Sequence, residues 1–194
     1  MLLKTVTASL FALTITSTQL SAQAFGISKG DDVSSYEGVS ELQLGLSQIN
    51  VPKPHPEFEV YVVKHSPETG VCMVRGIGKD HGNDRFGISV RRAFEELRTA
   101  LDRRYAPSGL NDFLRAGALW DESDEWVMSI RQNDRAYQAY WDAETRSKLP
   151  EDVAEILLSV AATSGNSAYV VLQYRFDNDD ACERAIKSDV EGGL

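Results

Sequence analysis

The sequence predicts an α+β fold: an antiparallel sheet built from hairpins, with one long amphipathic helix packed on a face and a short C-terminal helix. Three observations carry this. Apolar runs recur in pairs around turn sequences, as at Phe58–Val63 and Val71–Ile77, which is the pattern of hairpins. Val90, Phe94, Leu97, Leu101 and Tyr105 fall at intervals of 4, 3, 4 and 4 and so form one helical stripe. Strands and helices are grouped rather than strictly alternating, which favours segregated α+β layers over a parallel α/β sheet.

The first 24 residues read as a signal peptide. Met1-Leu2-Leu3-Lys4 gives a charged start, an apolar stretch runs from Val6 to Ile15, and Ala22-x-Ala24 has the form of a cleavage site. The mature chain is expected to begin at Phe25 and to form a single α+β domain over residues 25–194. The apolar stretch is too short to span a bilayer, which takes about 20 apolar residues. No Cys lies near the cut, the first being Cys72, so no membrane anchor is expected after cleavage. The expected location is the periplasm, with secretion as the alternative.

Along the mature chain, Asp31-Asp32 can cap a short helix over Val33–Tyr36. Leu42, Leu44 and Leu46 alternate as in a strand, and Pro52-Lys-Pro54-His-Pro56 forces an extended lead-in. The hairpin Phe58–Ile77 follows, with its turn at His65–Gly70. A loop rich in Gly and Asp precedes the long helix, which Pro107-Ser-Gly109 ends. Leu110–Ala116 suggests a short helix, and Trp126–Ile130 with Ala136–Trp141 suggests a second hairpin around Gln132-Asn133-Asp134. Val153–Ala162 carries both helix and strand signals. The turn Thr163–Ser167 and the strand Tyr169–Phe176 favour a third hairpin. Asn178 then caps a terminal helix over Asp179–Lys187, with acids where the dipole favours them.

Composition excludes several functions. Removing residues 1–24 takes out one lysine and no acid, so 20 basic and 29 acidic residues become 19 and 29, and the net charge moves from −9 to −10. That balance opposes nucleic acid and anionic lipid as partners, both of which need concentrated basic surface. Two cysteines in an exported chain, Cys72 and Cys182, predict one disulfide tying the terminal helix to the sheet.

Catalytic and cofactor signatures are not found. Gly76-Ile-Gly78-Lys-Asp-His-Gly82 has its glycines at spacings 2 and 4, not the 2 and 3 of a dinucleotide loop. The same loop brings His81 close in sequence to Asp80 and Asp84, the one local candidate for acid–base chemistry. No paired His ligand accompanies it. Asp177-Asn-Asp179-Asp180 fails the calcium-loop pattern at its fifth, sixth and twelfth places. No cofactor, metal site or catalytic residue is therefore assigned. On the strand Ala136–Trp141, Tyr140 and Trp141 point to opposite faces. One face is core, so one of the two aromatics is a candidate partner surface, rimmed by Arg131, Arg135 and Arg146.

The pattern Phe58-Glu-x-Tyr61, Gly70-Val-Cys72 and Gly76-Ile77-Gly78 with a long helix resembles exported bacterial proteins of unassigned function. So does the ending Tyr174-x-Phe176-x-Asn178-Asp-Asp-Ala-Cys182. That resemblance implies export and a Cys pair and implies no activity. Phe25-Gly26-Ile27 with Gly30 is similar to small periplasmic modules of the β-lactamase-inhibitor kind. The expected function is a non-enzymatic binding or interaction protein of the cell envelope, with a protein or envelope component as partner. The alternatives are a periplasmic hydrolase with a dispersed active site and a secreted enzyme inhibitor.

Overall fold

In the computed structural model, residues 24–145 and 147–192 are described; the expected signal segment lies outside them apart from Ala24. The chain passes through a 3-10 turn at Val33–Ser35 into β1 (Glu37–Gln43), β2 (Leu46–Asn50), β3 (Phe58–Ser66) and β4 (Gly70–Gly78). α1 (Ile88–Tyr105) leads to β5 (Gly109–Leu114) and α2 (Trp126–Arg131). β6 (Arg135–Trp141), β7 (Val153–Ser164), β8 (Ser167–Phe176) and α3 (Asp179–Gly192) complete the fold.

The eight strands form one sheet in the order β1-β2-β3-β4-β8-β7-β6-β5, with every neighbouring pair antiparallel. Two four-stranded meanders thus meet at β4 and β8, and α1 carries the chain from the centre of the sheet to its far edge. The α+β expectation, the long helix and the terminal helix all stand.

Strand alternation separates two faces. One register row joins Val63, Val74, Tyr174, Ile156 and Trp141. These belong to the main core, which also takes in Val90, Phe94 and Leu97 of α1. We call this the front face. The adjacent row, Val62, Arg75, Gln173, Leu157 and Tyr140, faces the other way. α3 packs on that reverse face over β3 and β4.

Asp84 starts α1. Its carboxylate accepts the backbone N–H groups of Ile88 (2.7 Å), Ser89 (2.8 Å) and Val90 (3.1 Å), three of the four orphan donors at a helix start. Gly87 precedes the helix at φ +67°, and a Cβ there would fall 2.1 Å from the Trp126 ring, so only glycine fits. Phe94 then meets the Tyr137 ring at 4.6 Å.

Three expected elements are corrected. Leu42–Leu46 is not one strand but spans a hairpin, with Leu42 in β1, Leu46 in β2 and the turn at Leu44-Gly45, where Gly45 has φ +73°. Gly109–Leu114 is an edge strand, not a short helix, and pairs continuously with β6 from Gly109↔Tyr140 to Leu114↔Arg135. A helix of one or two turns pays for its nucleus with few hydrogen bonds, whereas here six residues gain a ladder. Trp126–Arg131 is helix α2, not a strand. Trp126, Val127 and Ile130 are all buried, an i, i+1, i+4 set that alternation cannot produce.

The disulfide joins Cys72 of β4 to Cys182 of α3, 110 positions apart in sequence and both wholly buried. It secures a small second layer of Val62, Met73, Cys182 and Ala185 on the reverse face. Lys64 reinforces it through Asp179 and through Glu183 at 2.8 Å.

Candidate interaction surface

The reverse face beyond α3 carries an unusual side-chain set. In a sheet with one face on the core, the other normally alternates to polar residues. Here Ile77, Val171 and Leu157 point outward between buried neighbours, joined by Tyr140 on β6. All four are half-buried, held at the surface by the pleat. They sit on β4, β8, β7 and β6, adjacent strands at about 4.8 Å spacing, so the patch is roughly 15–20 Å wide.

The charged groups on this face are largely neutralised. Arg175 pairs with Glu155 across strands at 3.1 Å. Arg75, near the middle, donates from Nε (3.0 Å) and Nη2 (2.6 Å) to one oxygen, Oε1 of Gln173. Tyr140 lies over the edge strand at Gly109, where a Cβ would fall 2.4 Å from its ring, so the glycine lets the ring lie flat.

The expected aromatic surface divides. Trp141 is wholly buried and donates its indole N–H to Asp102 Oδ1 (3.1 Å) and the Ala106 carbonyl (3.0 Å). It is a core residue and presents no surface. Tyr140 is on the solvent side. Its expected arginine rim is absent from that spot: Arg135, five residues along β6 and so about 17 Å away, pairs with Asp112 at 3.0 Å. Arg131 donates to the Thr163 carbonyl at 3.3 Å, and Arg146 lies outside the described residues.

The acid–base candidates also find their places. His81 Nε2 is 2.8 Å from Oε1 of Glu57, a partner 24 residues earlier that sequence spacing did not point to. Neither expected carboxylate joins it. Asp84 is consumed in capping α1, and Asp80 accepts the Thr163 hydroxyl at 3.2 Å. Lys79 also reaches Glu57 at 3.4 Å, so the half-buried carboxylate is shared by His81 and an exposed lysine. A second pair has a dyad's distance: Ser47 Oγ is 3.0 Å from His65 Nε2. Ser47 is only 2% exposed, so no substrate carbonyl can reach its hydroxyl. Burial holds the His65 imidazole below its ordinary pKa of 6.5, partly opposed by Glu41 and Asp32.

Among the described residues no group of three or more His, Cys, Asp or Glu side chains is placed to hold a metal ion. The acids Asp177 and Asp179 are instead ion-paired to Lys29 and Lys64. No described helix is long and apolar enough to cross a membrane. Comparisons with protein-family models, with curated proteins and with solved structures find no match to this chain.

Sequence reasoning missed Arg75, Gln173, Leu157, Val171 and Ile77. A signal existed: Ile156-Leu157-Leu158 and Val170-Val171-Leu172 are unbroken apolar triplets within otherwise alternating strands. Such triplets place apolar side chains on both faces of a sheet.

Proposed function

We propose that this is an exported, non-enzymatic binding protein that engages a protein partner of the cell envelope through the uncovered reverse face of its sheet. The observation that carries the reading is the row of half-buried Ile77, Val171, Leu157 and Tyr140 on four adjacent strands of the reverse face, since apolar groups left in part open to solvent and flanked by polar ones mark association sites. The expected leader and the disulfide support a location outside the cytosol, the periplasm first. The net charge continues to oppose nucleic acid as partner. A secreted inhibitor is the same surface with an enzyme as the bound protein. A hydrolase gains little support, because His81 bonds Glu57, which Lys79 also engages, and no Ser, Thr or Cys side chain is bonded to the imidazole among the described residues.

The test places a photo-crosslinking residue at Val171 in the exported protein, with a control at Glu96 on the exposed side of α1. A discrete adduct at 171, absent at 96 and lost when Leu157→Lys is added, is the expected result. Equal labelling at both positions, or an adduct indifferent to Leu157→Lys, overturns the reading.

A further inference from the structure

Arg75 sits in the middle of the apolar reverse face without a carboxylate of its own. Its cross-strand neighbours are Val62 and Gln173, and Ile77 lies two residues along the same strand. A guanidinium has five N–H donors in a planar fork. Gln173 Oε1 takes the Nε and one Nη2 donor, and no other hydrogen bond or ion pair to Arg75 occurs among the described residues. Three N–H groups on Nη1 and Nη2 are left over. That outer edge has the geometry that accepts a carboxylate in two parallel hydrogen bonds.

Resting on the binding function proposed above, we propose that Arg75 is the recognition residue of the reverse face and that the partner presents an Asp or Glu side chain set among apolar residues. Charge complementarity is local. Two residues along from the cross-strand neighbours of Arg75 lie Arg175, paired with Glu155, and Lys64, paired with Asp179 and Glu183. Acids that act on Arg75 only through solvent are screened beyond about 8 Å at physiological salt. Gln173 braces the guanidinium, so the fork is oriented before the partner arrives and less side-chain entropy is lost on docking. Tyr140 and Arg75 are also the residue types that most often dominate binding energy at the centre of protein interfaces.

The probes are two capped tripeptides, acetyl-Leu-Glu-Leu-amide and acetyl-Leu-Gln-Leu-amide, titrated into the isotope-labelled protein and followed by NMR. The glutamate peptide is expected to move the Arg75 Nε–H resonance together with the amides of Ile77, Leu157 and Val171. It should bind about tenfold or more tightly than the glutamine peptide, as suits a hydrogen bond to a charged group. Arg75→Lys should bring the two peptides to one weak constant, and Gln173→Leu should weaken the glutamate peptide alone. Equal binding of the two peptides by the wild type, or an unmoved Arg75 resonance, overturns the proposal. Crosslinking at Val171 that survives Arg75→Lys but not Leu157→Lys overturns it too while leaving the binding function standing. Crosslinking that survives both overturns the function itself.

Discussion

Removal of the Cys72–Cys182 bond should unfold the chain far more readily and release α3 first. The bond closes a loop of 110 residues. Constraint of the unfolded chain over a loop of that size stabilises the fold by at most about 4.7 kcal/mol. For a domain of this length each kcal/mol moves the thermal midpoint by roughly 2–4 °C, which gives a fall of about 10–19 °C. The other ties of α3 are few: Lys64 pairs with the buried Asp179, Asn178 donates to the Thr69 and Val71 carbonyls at the helix start, and Ile186 packs close to Gly45. Cys182 and Ala185 are its buried apolar contacts, and Glu183, one of its two ion-pair partners for Lys64, is 65% exposed, where such a pair contributes at most about 1 kcal/mol. The assay compares wild type with Cys72→Ala/Cys182→Ala by circular dichroism, and follows α3 amides by hydrogen exchange. Because both sulfurs are wholly buried, the native bond should resist mild reductant until the protein unfolds. A double variant melting within about 3 °C of wild type, a shift worth only about 1 kcal/mol, would contradict this account. So would α3 amides as protected as those of β4.

Asp84→Ala strips the acceptor from three helix-start N–H groups and should lower stability by about 1–3 kcal/mol in urea titration, with Asp84→Asn losing less. A cost indistinguishable from that of an exposed control such as Glu96→Ala would mean the cap is idle. Trp141→Phe keeps most of the buried ring but takes the indole donor from the Ala106 carbonyl and from Asp102, which keeps the Ser108 N–H, so it should cost about 1–3 kcal/mol and leave partner crosslinking unchanged. For His65, burial lowers the folded-state pKa below 6.5, so the unfolded chain binds more protons as the pH falls through and below that value. Stability should therefore fall with acidification in that window. His65→Gln should flatten that part of the stability profile, and an unaltered slope would show that another group titrates there.

Much of the framework was readable because local signals agreed with the global fold. The stripe from Val90 to Tyr105 has helical period and a buried destination. The hairpins β3–β4 and β7–β8 have alternation bounded by turn residues. The misses share a cause, which is tertiary pairing overriding a weak local preference. Leu110-Asn-Asp-Phe113 has no strong propensity, and β6 decides its conformation by offering an unpaired edge. Trp126–Ile130 alternates acceptably as a strand until Val127 is seen to be wholly buried with Trp126 and Ile130. The proposed partner surface was half readable. Placing Tyr140 and Trp141 on opposite faces followed from the strand period alone. Which of them faced solvent depended on where α1 packs, and that is set by residues 35–50 positions away. Arg75 and Gln173 were hidden for the same reason: nearly a hundred residues separate them, and only the β4–β8 register brings them together.

That the reverse face beyond α3 stays partly open is a property of how α3 is fixed, not of a helix too short to cover it. α3 has 14 residues, a rod about 21 Å long, which laid across the strands would overlie about four of them at 4.8 Å spacing. It would then hide Arg75, Val171 and Leu157. Instead Cys182 fastens it to Cys72, its first turn is drawn to Lys64 of β3, and Ile186 approaches the β1–β2 turn so closely that a Cβ at Gly45 would lie 2.5 Å from its side chain. These contacts hold the helix over β1–β4 and away from β6–β8. Burying apolar area would itself favour the opposite shift, at about 25 cal/mol per Å². A covalent bond, a salt-bridge cluster and a close-fitting glycine that together oppose such a shift keep the patch open, and an apolar face kept open in this way is what a second protein needs in order to bind.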